Sequence, residues 1–281
     1  MTLFGGARLD QWTAYDATSG EVGNEAAFDD ARDDAISPQV ALIWHPLTGT
    51  YVRSSISRAF RAPTVYELFS TSQMTYTYHN NPDLSPETTW TYEVGVDQYL
   101  SDRRVKLSAT GFFTQADDLI GNYIVDTDVY KENIGEAEIK GLELGISAAP
   151  IDWLEVWANY TVTESEVVKN ERNPNAVGKH LTYYPAQTFN TGLDVSCGRF
   201  KGSVMGAYIG RLYVNDQNDD LEGVYGSYSK RWVWDLKLSC HIFKKVECVF
   251  SVNNILDEEY YIYSLAPGRS YMFEIKWDLN V

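Results

Sequence analysis

Apolar and polar residues alternate with a period of two along most of this chain, the mark of strands with one apolar and one polar face. The pattern is clearest near the C-terminus. Trp232, Trp234, Leu236, Leu238, Cys240 and Ile242 share one phase, and Arg231, Asp235, Lys237, Ser239 and His241 the other, with Val233 the exception. Val246, Cys248, Phe250 and Val252 oppose Lys245, Glu247, Ser251 and Asn253; Tyr271, Phe273, Ile275, Trp277, Leu279 and Val281 oppose Glu274, Lys276, Asp278 and Asn280. Upstream, Trp90, Tyr92, Val94 and Val96 oppose Thr89, Thr91, Glu93 and Asp97, and Leu142, Leu144, Ile146 and Ala148 oppose Glu143, Gly145 and Ser147. Leu154, Val156, Ala158, Tyr160 and Val162 continue the rule, although Trp153 and Trp157 sit in the polar phase.

The pattern predicts about twelve strands, at 3–15, 37–46, 49–58, 88–100, 103–124, 129–149, 151–167, 182–197, 200–214, 228–242, 245–256 and 269–280. Several exceed the five or six residues usual in a soluble sheet. They reach the roughly 9–11 residues that a tilted strand needs to cross a bilayer. Short turns at 45–49, 101–102, 149–150, 198–199 and 244 alternate with long polar loops at 16–36, 59–87, 168–181, 215–227 and 257–268. Only the connection at 125–128 is short where the alternation calls for a long one. Outer-membrane barrels segregate loop length by end in this way, whereas a β-sandwich has no reason to.

Backbone groups within a bilayer must be paired, so an all-β membrane protein closes its sheet. The expected fold is therefore all-β, an antiparallel transmembrane β-barrel with its apolar phase toward lipid and its polar phase toward a wet lumen. An even strand count puts both chain ends on the periplasmic side.

Composition sharpens this picture. The 20 Tyr, 11 Phe and 8 Trp suit aromatic belts at two membrane interfaces. A formal net charge of -16 leaves no basic surface for nucleic acid and fits acidic loops outside a bilayer. No apolar run approaches the roughly 20 residues of a transmembrane helix. Met1 leads directly into Leu3-Phe4-Gly5-Gly6 without a basic n-region or a long apolar core, so a signal peptide and an upstream part are expected elsewhere. Cys197, Cys240 and Cys248 form no metal motif, and neither metal nor cofactor is expected. Cys240 and Cys248 flank a tight turn and are expected side by side as thiols.

Several stretches resemble TonB-dependent outer-membrane receptors. Ser57-Arg58-Ala59-Phe60-Arg61-Ala62-Pro63-Thr64-Val65-Tyr66-Glu67-Leu68-Phe69 is followed by Asn81-Pro82-Asp83-Leu84-Ser85-Pro86-Glu87. Together they are similar to the family's Phe-Arg-Ala-Pro and Asn-Pro-Asn-Leu boxes, with Asp83 in place of the second Asn. Glu93-Val94-Gly95, Glu138-Ile139-Lys140-Gly141-Leu142-Glu143-Leu144, and Val252-Asn253-Asn254-Ile255-Leu256-Asp257-Glu258-Glu259-Tyr260 with Pro267-Gly268-Arg269 follow in the family's order. The resemblance runs from about Gly6 to Trp277; family chains usually end on an aromatic residue, whereas this one ends at Val281.

The resemblance implies a fragment: about twelve strands of a 22-stranded receptor barrel spanning 1–281, with the plug domain absent. It also implies uptake of a scarce, bulky nutrient, foremost an iron-siderophore, with haem or cobalamin as alternatives. TonB would act only through the missing plug, so energised transport by this portion alone is not expected. The remaining implied partner is outer-membrane lipid.

Ligand selectivity is expected in outer loops and the upper lumen. The loop 59–87 supplies the candidates Tyr66, Tyr76, Tyr78 and His79, with Arg61 at its start. In haem receptors of this family a loop histidine between such boxes is an axial ligand, which makes His79 the candidate for haem. Its alternative is a surface histidine. Arg58 and Arg61 either meet an anionic ligand or close salt bridges at the rim. The acidic runs Asp29, Asp30, Asp33, Asp34 and Asp216, Asp219, Asp220, Glu222 lack calcium-loop order and read as solvated loops.

An enzyme needs a nucleophile, a base and an orienting group. Four histidines exist, His45, His79, His180 and His241, and only His241 has a Ser and an Asp nearby, at Ser239 and Asp235. Any alternating strand produces that spacing, so no enzyme is expected. The rivals to a receptor are a passive pore or adhesin closed from twelve strands, and a non-functional remnant.

Overall fold

The computed structural model describes residues 1–21, 24–73 and 76–278. Twelve strands form one antiparallel meander in which each pairs with the next. They are β1 Thr2–Ala14, β2 Ala31–Trp44, β3 Thr50–Arg61, β4 Glu87–Leu100, β5 Val105–Val125, β6 Asp128–Ile151, β7 Leu154–Asn170, β8 Gln187–Cys197, β9 Phe200–Ile209, β10 Arg231–Phe243, β11 Val246–Asn253 and β12 Ser270–Trp277. The predicted strand count and connectivity are thus observed. Among the described residues, β1 pairs only with β2 and β12 only with β11, so the sheet is open with two free edges.

Register shows how the two phases become two faces. One cross-strand row runs Leu3, Leu42, Ser54, Val94, Gly111, Leu142, Val162 from β1 to β7. A second runs Leu193, Val204, Leu236, Val252, Tyr271 from β8 to β12. Residue by residue these rows are apolar or small, and many of their side chains are exposed. The opposite face carries the row Arg53, Gly95, Thr110, Glu143, Thr161. There Asp97 is buried between Arg53, 3.1 Å away, and Lys106, 3.4 Å away. A surface this apolar, opposite one this charged, is the division between lipid and a wet lumen.

Aromatic residues band the apolar face at two heights. Phe189, Tyr208 and Trp232 are register partners near the long-loop ends of β8, β9 and β10, and the Phe189 and Trp232 rings stack at 5.5 Å. Trp44, Phe200, Phe243 and Trp277 stand exposed beside the short turns. Amphipathic rings at both interfaces anchor a barrel at its depth.

Some strand ends differ from the sequence expectation. β2 begins at Ala31, six residues early, so Asp33 and Asp34 are not loop residues but pair with Trp12 and Gln11. No apolar alternation marks this stretch because it lies on the long-loop side, where neither face meets lipid. β8 begins at Gln187 and β9 stops at Ile209, short of the expected 182 and 214. Just beyond, Arg211 turns back to Asp220 and lies over the Tyr213 ring at 4.7 Å. The ends of the last strand expected at 279 and beyond lie outside the described residues.

Three of the long loops carry short strand pairs of their own. Loop 16–36 holds the hairpin Thr18–Glu21 with Asn24–Ala27, and loop 257–268 the hairpin Tyr261–Ile262 with Ser264–Leu265. Loop 59–87 holds a short helix, α1 Val65–Phe69, and the pair Ser72–Gln73 with Thr77–Tyr78. The short connection between β5 and β6 is explained by their length, 21 and 24 residues. β4 stops pairing at Asp117 and β7 at Gly135, so 118–134 projects beyond the sheet as a bare hairpin. Loop 62–86 packs against that projection. Leu68, Phe69 and Leu84 form a buried cluster with Trp12, Phe28 and Ile120 around it.

Candidate functional site

The loop on the projecting hairpin contains four of the five residues singled out for ligand binding, with Arg61 just before it at the end of β3, and its local chemistry shows why it is fixed. Thr64 follows Pro63 and caps α1: its hydroxyl accepts from the Glu67 N–H at 3.2 Å, and Glu67 accepts from the Thr64 N–H at 2.7 Å. This reciprocal capping box satisfies two otherwise orphaned N–H groups. Arg61 then clasps two carboxylates. It donates to Glu67 at 2.9 and 3.1 Å and to Glu87 at 2.6 and 2.7 Å. Glu87 also accepts from the Ile120 N–H at 2.8 Å, tying β4 to the projection. Partial burial raises the Glu67 pKa, but the hydrogen bonds from Arg61 and Thr64 outweigh it and carry the carboxyl down to about 2.

The second box pins the other end of the loop. Asn81 Nδ2 donates to the Lys131 carbonyl at 2.8 Å, and Asn81 Oδ1 accepts from the Asp83 N–H at 3.0 Å in an Asx turn. Asn133 donates to the Ser85 and Asp118 carbonyls and accepts from the Ser85 N–H at 3.0 Å. Leu84 completes the buried cluster.

Between the boxes, Thr77–Tyr78 adds a short parallel pairing to the free edge of β6 at Asp128 and Val129. The His79 N–H donates to the Val129 carbonyl at 2.9 Å. Its ring Nε2 lies 2.6 Å from Asp128 Oδ1, and the ring stacks on Tyr130 at 4.5 Å and 6°. Tyr130 stacks on Tyr123 at 5.2 Å, and Arg172 lies over Tyr123 at 4.4 Å while pairing with Glu132 at 2.6 Å. A ladder of four planar groups thus joins loop 62–86, the projecting hairpin and the β7–β8 loop. With Nε2 held by Asp128, the axial-ligand role implied for His79 would fall to Nδ1.

The structure gathers three of the five candidates, Tyr66, Tyr78 and His79, onto the projection. Tyr66 and Tyr78 face Lys131, with its ammonium 5.0 Å and 5.7 Å from the two ring centroids. Tyr76 is exposed beside them. Arg61 lies at the base of the loop, in its two-carboxylate clasp. Lys131 is the residue that sequence reading missed. It falls in a strand that reads as an ordinary polar phase, and only the loop folding over it makes it 5 % exposed.

The remaining reactive groups are dispersed. His45 packs on Tyr51 at 4.4 Å, His180 bonds the Ser165 carbonyl at 3.0 Å, and His241 pairs across the ladder with Glu247. Cys240 and Cys248 are register partners, as expected, and all three cysteines are free. No group of three His, Cys, Asp or Glu among the described residues could hold a metal ion.

Comparison with known proteins agrees with this architecture. The family model for TonB dependent receptor-like β-barrels matches residues 1–255. The iron-regulated outer membrane virulence protein of Vibrio cholerae is 26% identical over 209 residues, covering 69% of this chain and 31% of its own. The probable TonB-dependent receptor BfrD of Bordetella pertussis is 23% identical over 267 residues, covering 87% and 34%. The chain therefore spans about a third of the length of the curated relatives it matches. Among solved structures, the siderophore receptor PiuA from Acinetobacter baumannii superposes with a TM-score of 0.76 at 19% identity, covering 98% of this chain and 40% of that one. The ferric yersiniabactin uptake receptor FyuA from Yersinia pestis gives 0.76 at 16%, covering 99% and 43%. A likeness at such identity concerns the fold. With an open twelve-stranded sheet, two opposed faces and a family model over residues 1–255, this chain belongs to the TonB-dependent receptor β-barrel family of the outer membrane.

Proposed function

We propose that this chain is the C-terminal portion of the barrel of a receptor that takes up an iron-siderophore complex through the outer membrane. The observation that carries the reading is the family match over residues 1–255, together with relatives named for iron regulation and siderophore reception. The free edges of β1 and β12 fit a sheet completed by further strands. Thr2 pairs with Ile43 and Trp277 with Val246, both beside short turns, which supports periplasmic chain ends. A plug domain outside these residues would fill the polar lumen and receive TonB.

The test is uptake of radio-labelled iron, supplied as ferric siderophores of several classes, by the host bacterium with and without an intact copy of this locus. The reading expects loss of energy-dependent uptake for at least one class. Unchanged uptake of every class, under iron starvation, would contradict it.

A further inference from the structure

The Lys131 ammonium has no hydrogen-bond partner among the described residues, and the side chain is 5 % exposed. A buried ammonium is costly unless paired. Two tyrosine rings offer it only the diffuse attraction of their faces, at 5.0 and 5.7 Å. The two covers differ. Tyr78 belongs to the segment bonded to β6, whereas Tyr66 stands on α1 with 60% of its surface exposed. Neighbouring carboxylates are committed elsewhere: Glu132 to Arg172 and Tyr123, Asp128 to His79, and Glu67 and Glu87 to Arg61. The site therefore holds one uncompensated positive charge beneath a single exposed ring, on the projection that faces away from the short turns.

We infer that Lys131 is an anion-recognition residue with Tyr66 as its cover, and that this selects iron chelates bearing negative charge. This rests on the uptake reading above and names the ligand class. An anionic oxygen of the chelate displaces the Tyr66 ring and takes the hydrogen bonds that Lys131 lacks. Tyr78 and the exposed Tyr66 remain to contact the chelate's apolar or aromatic surface. A cationic chelate gains nothing from the same opening and meets repulsion.

The test uses outer-membrane vesicles carrying the full-length protein and two probes, an anionic ferric tris-catecholate and a cationic ferric trihydroxamate. Lys131→Met should weaken the anionic probe by about 10-fold or more and leave the cationic probe bound as tightly as before or more tightly. Lys131→Arg should keep most of the affinity. Tyr66→Ala should speed association of the anionic probe. Equal binding of the anionic probe by wild type and Lys131→Met overturns the inference and spares the uptake reading. So does a Lys131→Met variant that loses both probes equally, since the lysine would then serve an internal partner. If Lys131→Met fails to assemble, Tyr66→Ala decides, and an unchanged association rate overturns the inference. If wild type binds neither probe nor any other ferric chelate, both the uptake reading and this inference fall.

Discussion

Trp157 packs over its cross-strand partner Gly192: a Cβ built at position 192 would lie 2.5 Å from the indole. This explains a tryptophan in the polar phase of β7. The glycine opens a gap in the lumenal face of β8, and the ring fills it. Phe112 stands in the same relation to Gly141 on β5 and β6.

Gly192→Val should therefore destabilise the barrel by about 1–3 kcal/mol through overpacking. The temperature at which the folded protein loses its fast-migrating form in detergent gels should fall. Trp157→Ala in the same chain should recover part of the loss. An unchanged transition in Gly192→Val would show that the ring does not occupy the gap.

The Glu67 carboxyl links acidity to the order of loop 62–86. Its pKa is lowered to about 2 in the folded loop from an ordinary 4.5. The sign follows: the stabilisation is present above about pH 4.5 and is lost as pH falls toward 2. The Leu68 N–H donates to the Thr64 carbonyl at 3.0 Å, and its protection, the exchange rate relative to that of the unfolded chain at the same pH, should fall across that window. Glu67→Gln should expose the same amide at neutral pH, with a local cost of about 1–3 kcal/mol. A Leu68 protection factor that stays the same between about pH 5 and about pH 2 would sink this assignment.

The contact between His79 and Asp128 is half exposed, at 39% and 37%. Its loss should be mild, about 1 kcal/mol or less. Asp128→Asn should raise exchange at the His79 amide by a few-fold, because that amide bonds Val129 one residue away. Exchange at Leu68 should stay as it was. A global loss of protection would mean the ladder of rings is the main support of the loop.

Much of the fold was legible from alternation alone, because two solvents of opposite character face the sheet. Twelve strands and their loop asymmetry followed from that. Where neither face meets lipid, the signal disappears. Asp33 and Asp34 look like loop residues, although they sit in the β2 ladder opposite Trp12 and Gln11. The helix α1 had a signal that period-two reading passes over, the capping box Thr64 to Glu67 behind Pro63. The candidate site was half legible. Motif resemblance pointed to loop 59–87, yet its box residues Arg61, Asn81 and Leu84 fix the loop's shape. Lys131 could not be found locally, since what buries it comes from Tyr66 and Tyr78, more than fifty residues upstream.

The two faces make opposite demands on a new charge. Val94→Arg, in the apolar row between Ser54 and Gly111, should cost about 2–4 kcal/mol if it lies near the bilayer midplane. Thr161→Lys, beside Glu143 on the other face, should change stability by about 1 kcal/mol or less. Folding titrations into lipid vesicles compare them. Equal penalties would contradict the division of the faces.

The most direct measurement is the environment of spin labels placed one at a time on each face of the full-length protein in lipid vesicles. Labels at Val94, Leu142 and Leu236 should be reached by oxygen dissolved in the bilayer and shielded from a water-soluble nickel complex. Labels at Thr110, Glu143 and Thr161 should show no such preference for oxygen. If labels on the apolar rows proved as open to the nickel complex as those on the polar row, the sheet would not be a wall between lipid and lumen, and the barrel account would fail.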